Sequence, residues 1–333
     1  GKIGARAGRT RQNRPGWPTY LILTSVGCNR ELPLHVHGCF SYLPDRGFAF
    51  TIAQAVWLNR VLEVNLLETL PRHDHPATQD RWEGYVSVIV PVYNEVLHLE
   101  ELLQAVLASP VKKEVIIVDD GSTDGTREKL LALPPREDVT IVFHERNCGK
   151  GASIRTALTY ARGEYVLIQD SDLEYDPKDY PALLEPMQQG RANVVYGVRP
   201  DRPERGLRFF LGAKLLTHLT NLLYGTRIHD EATCYKAFRR PLLAQLRLEC
   251  RRFEFCPEVT SKICRLGEKI EEVPISYRPR SAEEGKKIRL SDGWLAIWTL
   301  IRHRFLSRRR WLRSSQDISS APFAVSFSRV PAE

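Results

Sequence analysis

Short, nearly continuous apolar runs alternate with segments of helical periodicity through the central part of this chain. Apolar runs of four to seven residues lie at 86–92, 114–118, 139–143 and 165–168. Helical patterns lie between them, at 97–107, 126–133 and 152–161. Strands that are apolar throughout are buried on both faces, as in a parallel sheet between two layers of helices. The alternation therefore predicts an α/β fold with a Rossmann-like, mostly parallel sheet and helices on both faces.

Acidic residues follow three of these predicted strands at the point where each strand ends. Glu95 follows the first strand, Asp119 and Asp120 the second, and Asp170 and Asp172 the fourth. Residues i and i+2 of an extended chain point the same way, so Asp170 and Asp172 are spaced to bind one cation. Ligands of open α/β sheets bind beyond the carboxyl ends of the strands. Taken alone, Asp-x-Asp also fits a strand that simply ends in a turn.

Four segments in order, 88–95, 118–126, 147–151 and 170–172, resemble the GT-A domain of glycosyltransferase family 2. Four more, at 195–199, 230–236, 253–258 and 272–277, resemble the polyprenyl-phosphate sugar synthases, a group that includes dolichyl-phosphate mannose synthase. The resemblance implies the GT-A fold and an inverting, metal-dependent enzyme. Such an enzyme would move a sugar from a nucleotide diphosphate sugar to a dolichyl or undecaprenyl phosphate.

The resemblance also implies roles for individual residues. The cofactor would be Mg²⁺ or Mn²⁺, bound by Asp170, Asp172 and Glu174, which stands where the mannose synthases have Gln. The residues expected to bind the nucleotide sugar are Pro91, Tyr93, Glu95, Val118, Asp119, Asp120, Lys150, Asp170, Asp172 and Arg280. The residues expected at the acceptor phosphate are Arg199, Thr217 and Lys214. Catalysis is expected from Asp170, Asp172, Arg199 and Arg280.

Other interpretations stay open at this point. Transfer to a saccharide or protein hydroxyl would need a general base, for which Asp230 is the nearest candidate. Glu258 fits either a residue that orients the sugar or a structural ion pair. A non-catalytic homologue that binds only a nucleotide is a third possibility. A dinucleotide-binding dehydrogenase is disfavoured, because no Gly-x-Gly-x-x-Gly follows the first strand.

The ends of the chain differ from its centre in charge. The net charge of +8 is concentrated in residues 1–14, with five cations, and residues 302–313, with six arginines. We expect residues 1–80 to form an unassigned, poorly ordered extension and residues 314–333 to form a tail. Between them, we expect a glycosyltransferase domain over 85–290. Its first half (85–200) would bind the nucleotide sugar, and its second half (201–290) would bind the acceptor. Residues 291–313 form a predicted amphipathic, basic helix suited to an anionic membrane surface.

No apolar run reaches the eighteen residues of a membrane-spanning helix. The sequence therefore predicts a cytoplasmic enzyme bound peripherally to the inner face of the membrane. No nucleic-acid partner is expected, because no RNA- or DNA-binding motif accompanies the basic runs.

Overall fold

A computed structural model describes residues 82–200, 207–280 and 290–313 of the chain. The predicted extension over 1–80 and the tail over 314–333 lie outside the described residues. The strands are β1 (Val86–Val92), β2 (Lys113–Asp119), β3 (Val139–Phe143), β4 (Tyr165–Ile168), β5 (Val194–Val198), β6 (Lys236–Arg239) and β7 (Ile270–Pro274). The helices are α1 (Leu99–Ala108), α2 (Thr126–Ala132), α3 (Lys150–Leu158), α4 (Tyr180–Gln188), α5 (Leu207–Tyr224), α6 (Arg240–Ala244), α7 (Phe255–Leu266), α8 (Leu290–Phe305) and α9 (Arg308–Trp311).

The seven strands form one sheet in the order β3-β2-β1-β4-β6-β5-β7. Strands β1, β2, β3 and β4 run parallel to one another, and β5 is parallel to β7. Strand β6 lies between β4 and β5 and is antiparallel to both. The predicted α/β class and mostly parallel sheet are confirmed, and the short antiparallel strand is a feature that the apolar pattern did not predict.

Each face of the sheet supports its own apolar core, because successive strand residues point to opposite faces. On one face, Ile89 and Ile116 pack with buried residues of α3 and α7. On the other face, Val88 and Val115 pack with buried residues of α1 and α4. All seven residues of β1 are buried, as expected of a central strand covered on both sides.

The basic C-terminal segment is divided into two helices rather than forming the single predicted helix over 291–313. Helix α8 ends at Phe305, and α9 begins at Arg308. The side chain of Trp311 is fully buried in the core next to α7, and Leu246 forms a β-bridge with Leu312. The chain is therefore anchored to the domain just after its arginine cluster. Among the described residues, no helix is both long and apolar enough to span a bilayer.

Candidate active site

The strand ends bring the predicted acidic residues to one edge of the sheet. In the parallel register, Val92 at the end of β1 lies opposite Asp119, and Ile89 lies opposite Ile168. The segments that follow β1, β2 and β4 therefore leave the sheet side by side. Asp120, Asp170 and Glu95 lie in these segments, as the sequence predicts.

Asp170 and Asp172 lie in a crowded group of charges at this edge. Lys150, the first residue of α3, forms an ion pair with Asp170. Burial and then the charges of Asp170 and Glu174 raise the pKa of Asp172 to about 7. Burial alone would lower the pKa of Lys150, but the charges of Asp170, Cys234 and Cys256 and the hydrogen bond to Asp170 together outweigh burial, so the pKa is raised. Three carboxylates share this space with too little positive charge to neutralise them.

Arg280 links Glu95, which follows β1, to the backbone of Asp172, which follows β4. Its guanidinium donates to both carboxylate oxygens of Glu95, at 3.3 and 2.9 Å, and to the backbone carbonyl of Asp172 at 2.7 Å. The side chains of Arg280 and Glu95 are only 12% and 6% exposed, so this bidentate pair is well shielded from water. The structure thus brings Glu95 and Arg280 together, although 185 positions separate them.

Glu174 has two hydrogen-bond partners of its own. Its carboxylate accepts from the Tyr277 hydroxyl at 2.7 Å and from the Arg280 backbone N–H at 2.8 Å. The Glu174 N–H in turn donates to Asp172 at 3.2 Å. Glu174 therefore holds the segment after β7 against the acidic group. Its role as a metal ligand stays a prediction. Sequence reasoning quoted Tyr277 as part of a motif but gave it no role at the site.

The loop after β2 is organised by Asp120. Its carboxylate accepts from the N–H groups of Cys148 and Gly149, at 2.9 and 2.7 Å, and contacts His144 Nδ1 at 2.7 Å. His144 Nε2 lies 3.0 Å from the Thr156 hydroxyl. This buried histidine fixes the Asp120 carboxylate. No motif in the sequence marks His144, which is the first of four polar residues that follow β3.

The remaining predicted nucleotide-sugar residues differ in how far they face the open edge. Asp119 is fully buried and paired with Arg127 at 2.7 Å, so its carboxylate faces the protein interior. The Val118 side chain belongs to the core, and Pro91 is buried in β1 opposite Val118. Tyr93 is half-buried in the segment after β1.

The start of α3 is closed to an anion. The N–H groups of Gly151 and Ala152 donate to the carbonyls of Arg252 and Arg251, each at 3.1 Å. A Cβ at Gly149, whose φ is +94°, would lie 2.2 Å from the Arg251 carbonyl oxygen. The turn at residues 149–151 is therefore packed against the chain that precedes α7, and the Lys150 side chain reaches the acidic group.

The three predicted acceptor-phosphate residues line one small cavity together with Asp230. The cavity is about 20 Å³ and is lined by Arg199, Phe210, Ala213, Lys214, Thr217, His229 and Asp230. Arg199 makes two 2.7 Å hydrogen bonds to Asp230, from Nε and Nη2. The Thr217 hydroxyl accepts from the Glu231 N–H at 3.1 Å. Arg199 also lies over the Tyr277 ring, 5.2 Å from its centroid.

Charge at this cavity is balanced by the Arg199–Asp230 pair. Burial alone would raise the pKa of Asp230, but its hydrogen bonds to Arg199 outweigh burial and hold the pKa below its ordinary value. Asp230 is therefore a weak base at neutral pH. Glu258, the other ambiguous acid, accepts from the N–H groups of Glu249 and Cys250 at 2.8 and 2.7 Å and pairs with Lys262. Glu258 and Lys262 form a structural ion pair inside the domain.

The oxygen-rich edge suits a hard divalent cation. Mg²⁺ and Mn²⁺ prefer carboxylate oxygens, and the charges of Asp170 and Glu174 add to the effect of burial in raising the pKa of Asp172. Among the described residues, the side chains whose possible ligand atoms all lie within 4.8 Å of one another are a different set, Asp120, His144 and Cys148. In that set Asp120 already accepts hydrogen bonds from His144 and the Cys148 N–H. Binding of a cation by Asp170, Asp172 and Glu174 stays a prediction.

Comparison with known proteins identifies the domain. A family model for glycosyl transferase family 2 matches residues 87–247. Dodecaprenyl-phosphate galacturonate synthase of Rhizobium johnstonii is 28% identical over 192 residues, which are 55% of this chain and 57% of that protein. Undecaprenyl-phosphate 4-deoxy-4-formamido-L-arabinose transferase of Edwardsiella ictaluri is 31% identical over 209 residues, or 61% of this chain and 62% of that protein. The chain thus spans less than two thirds of these relatives.

Solved structures show the same fold. A crystal structure of glucosyl-3-phosphoglycerate synthase from Mycobacterium tuberculosis, in complex with Mn²⁺, UDP and glucosyl-3-phosphoglycerate, has a TM-score of 0.53. It is 22% identical, and the match covers 67% of this chain and 81% of that chain. The mostly parallel sheet with its helices therefore has a GT-A-like fold. The domain at residues 87–247 is a glycosyl transferase family 2 domain.

Proposed function

We propose that this chain transfers a sugar from a nucleotide diphosphate sugar to a polyprenyl phosphate. The named relatives act on dodecaprenyl and undecaprenyl phosphate, and this chain aligns with 57% and 62% of their lengths. Of the motifs that resemble the polyprenyl-phosphate sugar synthases, 195–199 and 230–236 supply Arg199 and Asp230 to the cavity. The motif at 272–277 ends at Tyr277, which contacts Glu174 at the acidic edge.

One observation carries the proposal: Tyr277 connects the proposed acceptor site to the proposed donor site. The Tyr277 ring lies under Arg199, and its hydroxyl donates to Glu174, two residues from Asp172. A phosphate at Arg199 would therefore lie close to a sugar diphosphate at Asp170 and Asp172. Arginine is suited to this role, because its planar fork binds phosphate oxygens in pairs.

On the donor side, we assign Asp170 and Asp172 to a divalent cation and Arg280 to the diphosphate. A bound Mg²⁺ or Mn²⁺ supplies Lewis-acid stabilisation of a leaving diphosphate. Arg280 is held in place by Glu95, and Lys150 by Asp170, so both cations are oriented before a substrate arrives. Fixed positive charge beside the leaving group favours the transition state without further reorganisation.

The acceptor chemistry fits the balance of charge at the Arg199 cavity. A phosphate monoester is already anionic at neutral pH, so its oxygen can attack the anomeric carbon in line without a strong base. Transfer to a hydroxyl would need such a base. Asp230 is the nearest candidate, and Arg199 holds its pKa below the ordinary value. This arrangement favours a phosphate acceptor over a hydroxyl acceptor.

The proposed lipid acceptor also requires contact with a membrane, for which we assign one face of α5 and α8. These helices pack against each other, and Tyr224 donates to the Leu300 carbonyl at 2.6 Å. Large apolar side chains more than half exposed on them are Leu211, Leu215, Leu222, Trp294, Trp298 and Phe305. The exposed arginines of α9 follow directly. Apolar residues beside cations suit an anionic bilayer surface, where the enzyme would bind peripherally.

A panel of nucleotide diphosphate sugars, each incubated with undecaprenyl phosphate and Mg²⁺, tests the proposed function. We expect one donor to release nucleoside diphosphate in step with a lipid-linked sugar product. A parallel panel with free saccharides and peptides is the matched comparison. Release that depends on a hydroxyl acceptor and not on the lipid phosphate would refute the proposal.

A further inference from the structure

Two half-buried cysteines lie together beside Lys150, and the function proposed above uses neither of them. Lys150 Nζ donates to the sulfur of Cys234 at 2.8 Å. The Cys256 thiol contacts the Thr233 carbonyl oxygen at 3.6 Å. Because that carbonyl belongs to the peptide bond that joins Thr233 to Cys234, the second sulfur lies against the backbone of the first cysteine.

The local environment makes the two thiols chemically unequal. The hydrogen bond from Cys234, followed by the charges of Lys236 and Lys150, lowers the pKa of Cys256 to about 6 against the effect of burial. The hydrogen bond to Cys256 and burial raise the pKa of Cys234. A pair with one thiolate and one neighbouring thiol is the arrangement in which the first sulfur attacks an oxidant and the second completes a disulfide.

Cys250 and Cys264, the other free thiols among the described residues, lack this arrangement. Burial raises the pKa of Cys264 to about 12, and it raises that of Cys250 as well. Cys264 lies in α7, two turns after Cys256, and is also half-buried. It therefore serves as a control with similar exposure on the same helix.

We propose that Cys234 and Cys256 are a modification site that forms a reversible disulfide and thereby lowers the activity of the neighbouring donor site. With a peroxide as the oxidant, the Cys256 thiolate attacks one peroxide oxygen and displaces hydroxide, which leaves a sulfenic acid. The Cys234 sulfur then attacks the Cys256 sulfur, and water leaves as the S–S bond forms. Overall two thiols lose two electrons and two protons, and one hydrogen peroxide becomes two waters. A dithiol reductant reverses the reaction by thiol–disulfide exchange.

The disulfide would act on the donor site through Lys150. In the reduced protein, Lys150 lies between the Cys234 sulfur and the Asp170 carboxylate. Bonding between the sulfurs moves the Cys234 sulfur towards Cys256 and removes the thiol and thiolate that stabilise the lysine charge. Loss of a hydrogen bond to a charged group changes an equilibrium by about tenfold or more, so we expect a comparable fall in activity.

Peptide mapping of the full chain tests the site without reference to activity. The reduced protein is treated with hydrogen peroxide, unreacted thiols are alkylated, and the digest is examined by mass spectrometry. We expect a cross-linked peptide pair containing Cys234 and Cys256 that disappears after treatment with dithiothreitol. The proposal is overturned if no such cross-linked pair forms and Cys256 is either oxidised beyond sulfenic acid or still reduced.

Activity measurements then test the consequence, which rests on the proposed function. Wild type and Cys264→Ser should lose activity about tenfold on oxidation and regain it with dithiothreitol. Cys256→Ser should lose the reversible response, so that peroxide and dithiothreitol leave its activity at the level that this variant has in reducing buffer. If wild type forms the disulfide with no change in sugar transfer, the regulatory part is wrong. If no donor is turned over in either redox state, the proposed function fails while the mapping still reports on the disulfide.

Discussion

Replacement of Glu231 should change how the stability of this protein depends on pH. Glu231 is fully buried next to Asp230, and among the described residues neither carboxylate oxygen has a hydrogen-bond partner. Burial raises its pKa from an ordinary value of 4.5 to about 8, although the charge of Lys236 opposes the shift. Glu231 therefore keeps its proton at neutral pH in the folded protein and loses it in the unfolded chain.

The direction of the effect follows from proton binding. Between about pH 4.5 and pH 8 the folded state binds one more proton than the unfolded state, so stability falls as the pH rises. Below this window both states are protonated, and above it both are ionised. Each pKa unit corresponds to about 1.4 kcal/mol, so the free energy of unfolding should fall by roughly 3–5 kcal/mol across the window. Glu231→Gln removes the titration and keeps the shape of the side chain.

Urea unfolding at pH 5, 6.5 and 8 measures this effect. We expect the wild type to lose stability relative to Glu231→Gln as the pH rises, and the variant to be the more stable protein at pH 8. Glu249→Gln is the control, because Glu249 is half exposed and pairs with Arg302 at the surface. If wild type and Glu231→Gln show parallel stability across the three pH values, Glu231 is ionised in the folded protein and the reasoning is wrong.

Three further predictions concern the proposed activity. Asp172→Asn, or EDTA added to the wild type, should nearly abolish turnover while urea unfolding stays cooperative; full turnover in EDTA would exclude a metal requirement. Arg199→Ala should raise the apparent KM for the lipid phosphate about tenfold or more, because a charged hydrogen bond is lost. An effect on the donor KM alone would contradict this. Replacing Arg308, Arg309 and Arg310 together with Gln should weaken co-sedimentation with anionic vesicles about a hundredfold, since each cation contributes about 1 kcal/mol. Equal binding by parent and variant at low salt would place membrane contact elsewhere.

Most of the fold follows from local pattern. Val86–Val92 is apolar and is followed by a helical repeat, so the strand and the helix after it are visible in the sequence. The position of Asp170 at an open sheet edge follows from the general geometry of parallel sheets. The short strand β6 is different, because four residues beginning with a buried lysine carry no clear period. Its antiparallel pairing is set by the strands on either side.

The partners of the charged residues could not be predicted in the same way. Arg280 pairs with Glu95 and Arg199 with Asp230 across 185 and 31 positions, and such pairs depend on how distant segments pack. All four residues are candidates from the sequence, but the motifs do not predict which charged side chains pair with one another in the folded protein. Glu258 and Lys262 are the exception, because residues four apart on a helix are neighbours and this ion pair is readable from spacing.

Strand β6 limits how this domain can be recombined with those of its relatives. Residues 236–239 come from the half of the chain assigned to the acceptor, yet they pair with β4 and β5 of the half assigned to the donor. A hybrid gene joined near residue 200 would insert a foreign strand into the middle of the sheet, where Ala237 and Phe238 are fully buried. Exchange of acceptor specificity between such enzymes should therefore succeed with loop and helix grafts that leave this strand in place.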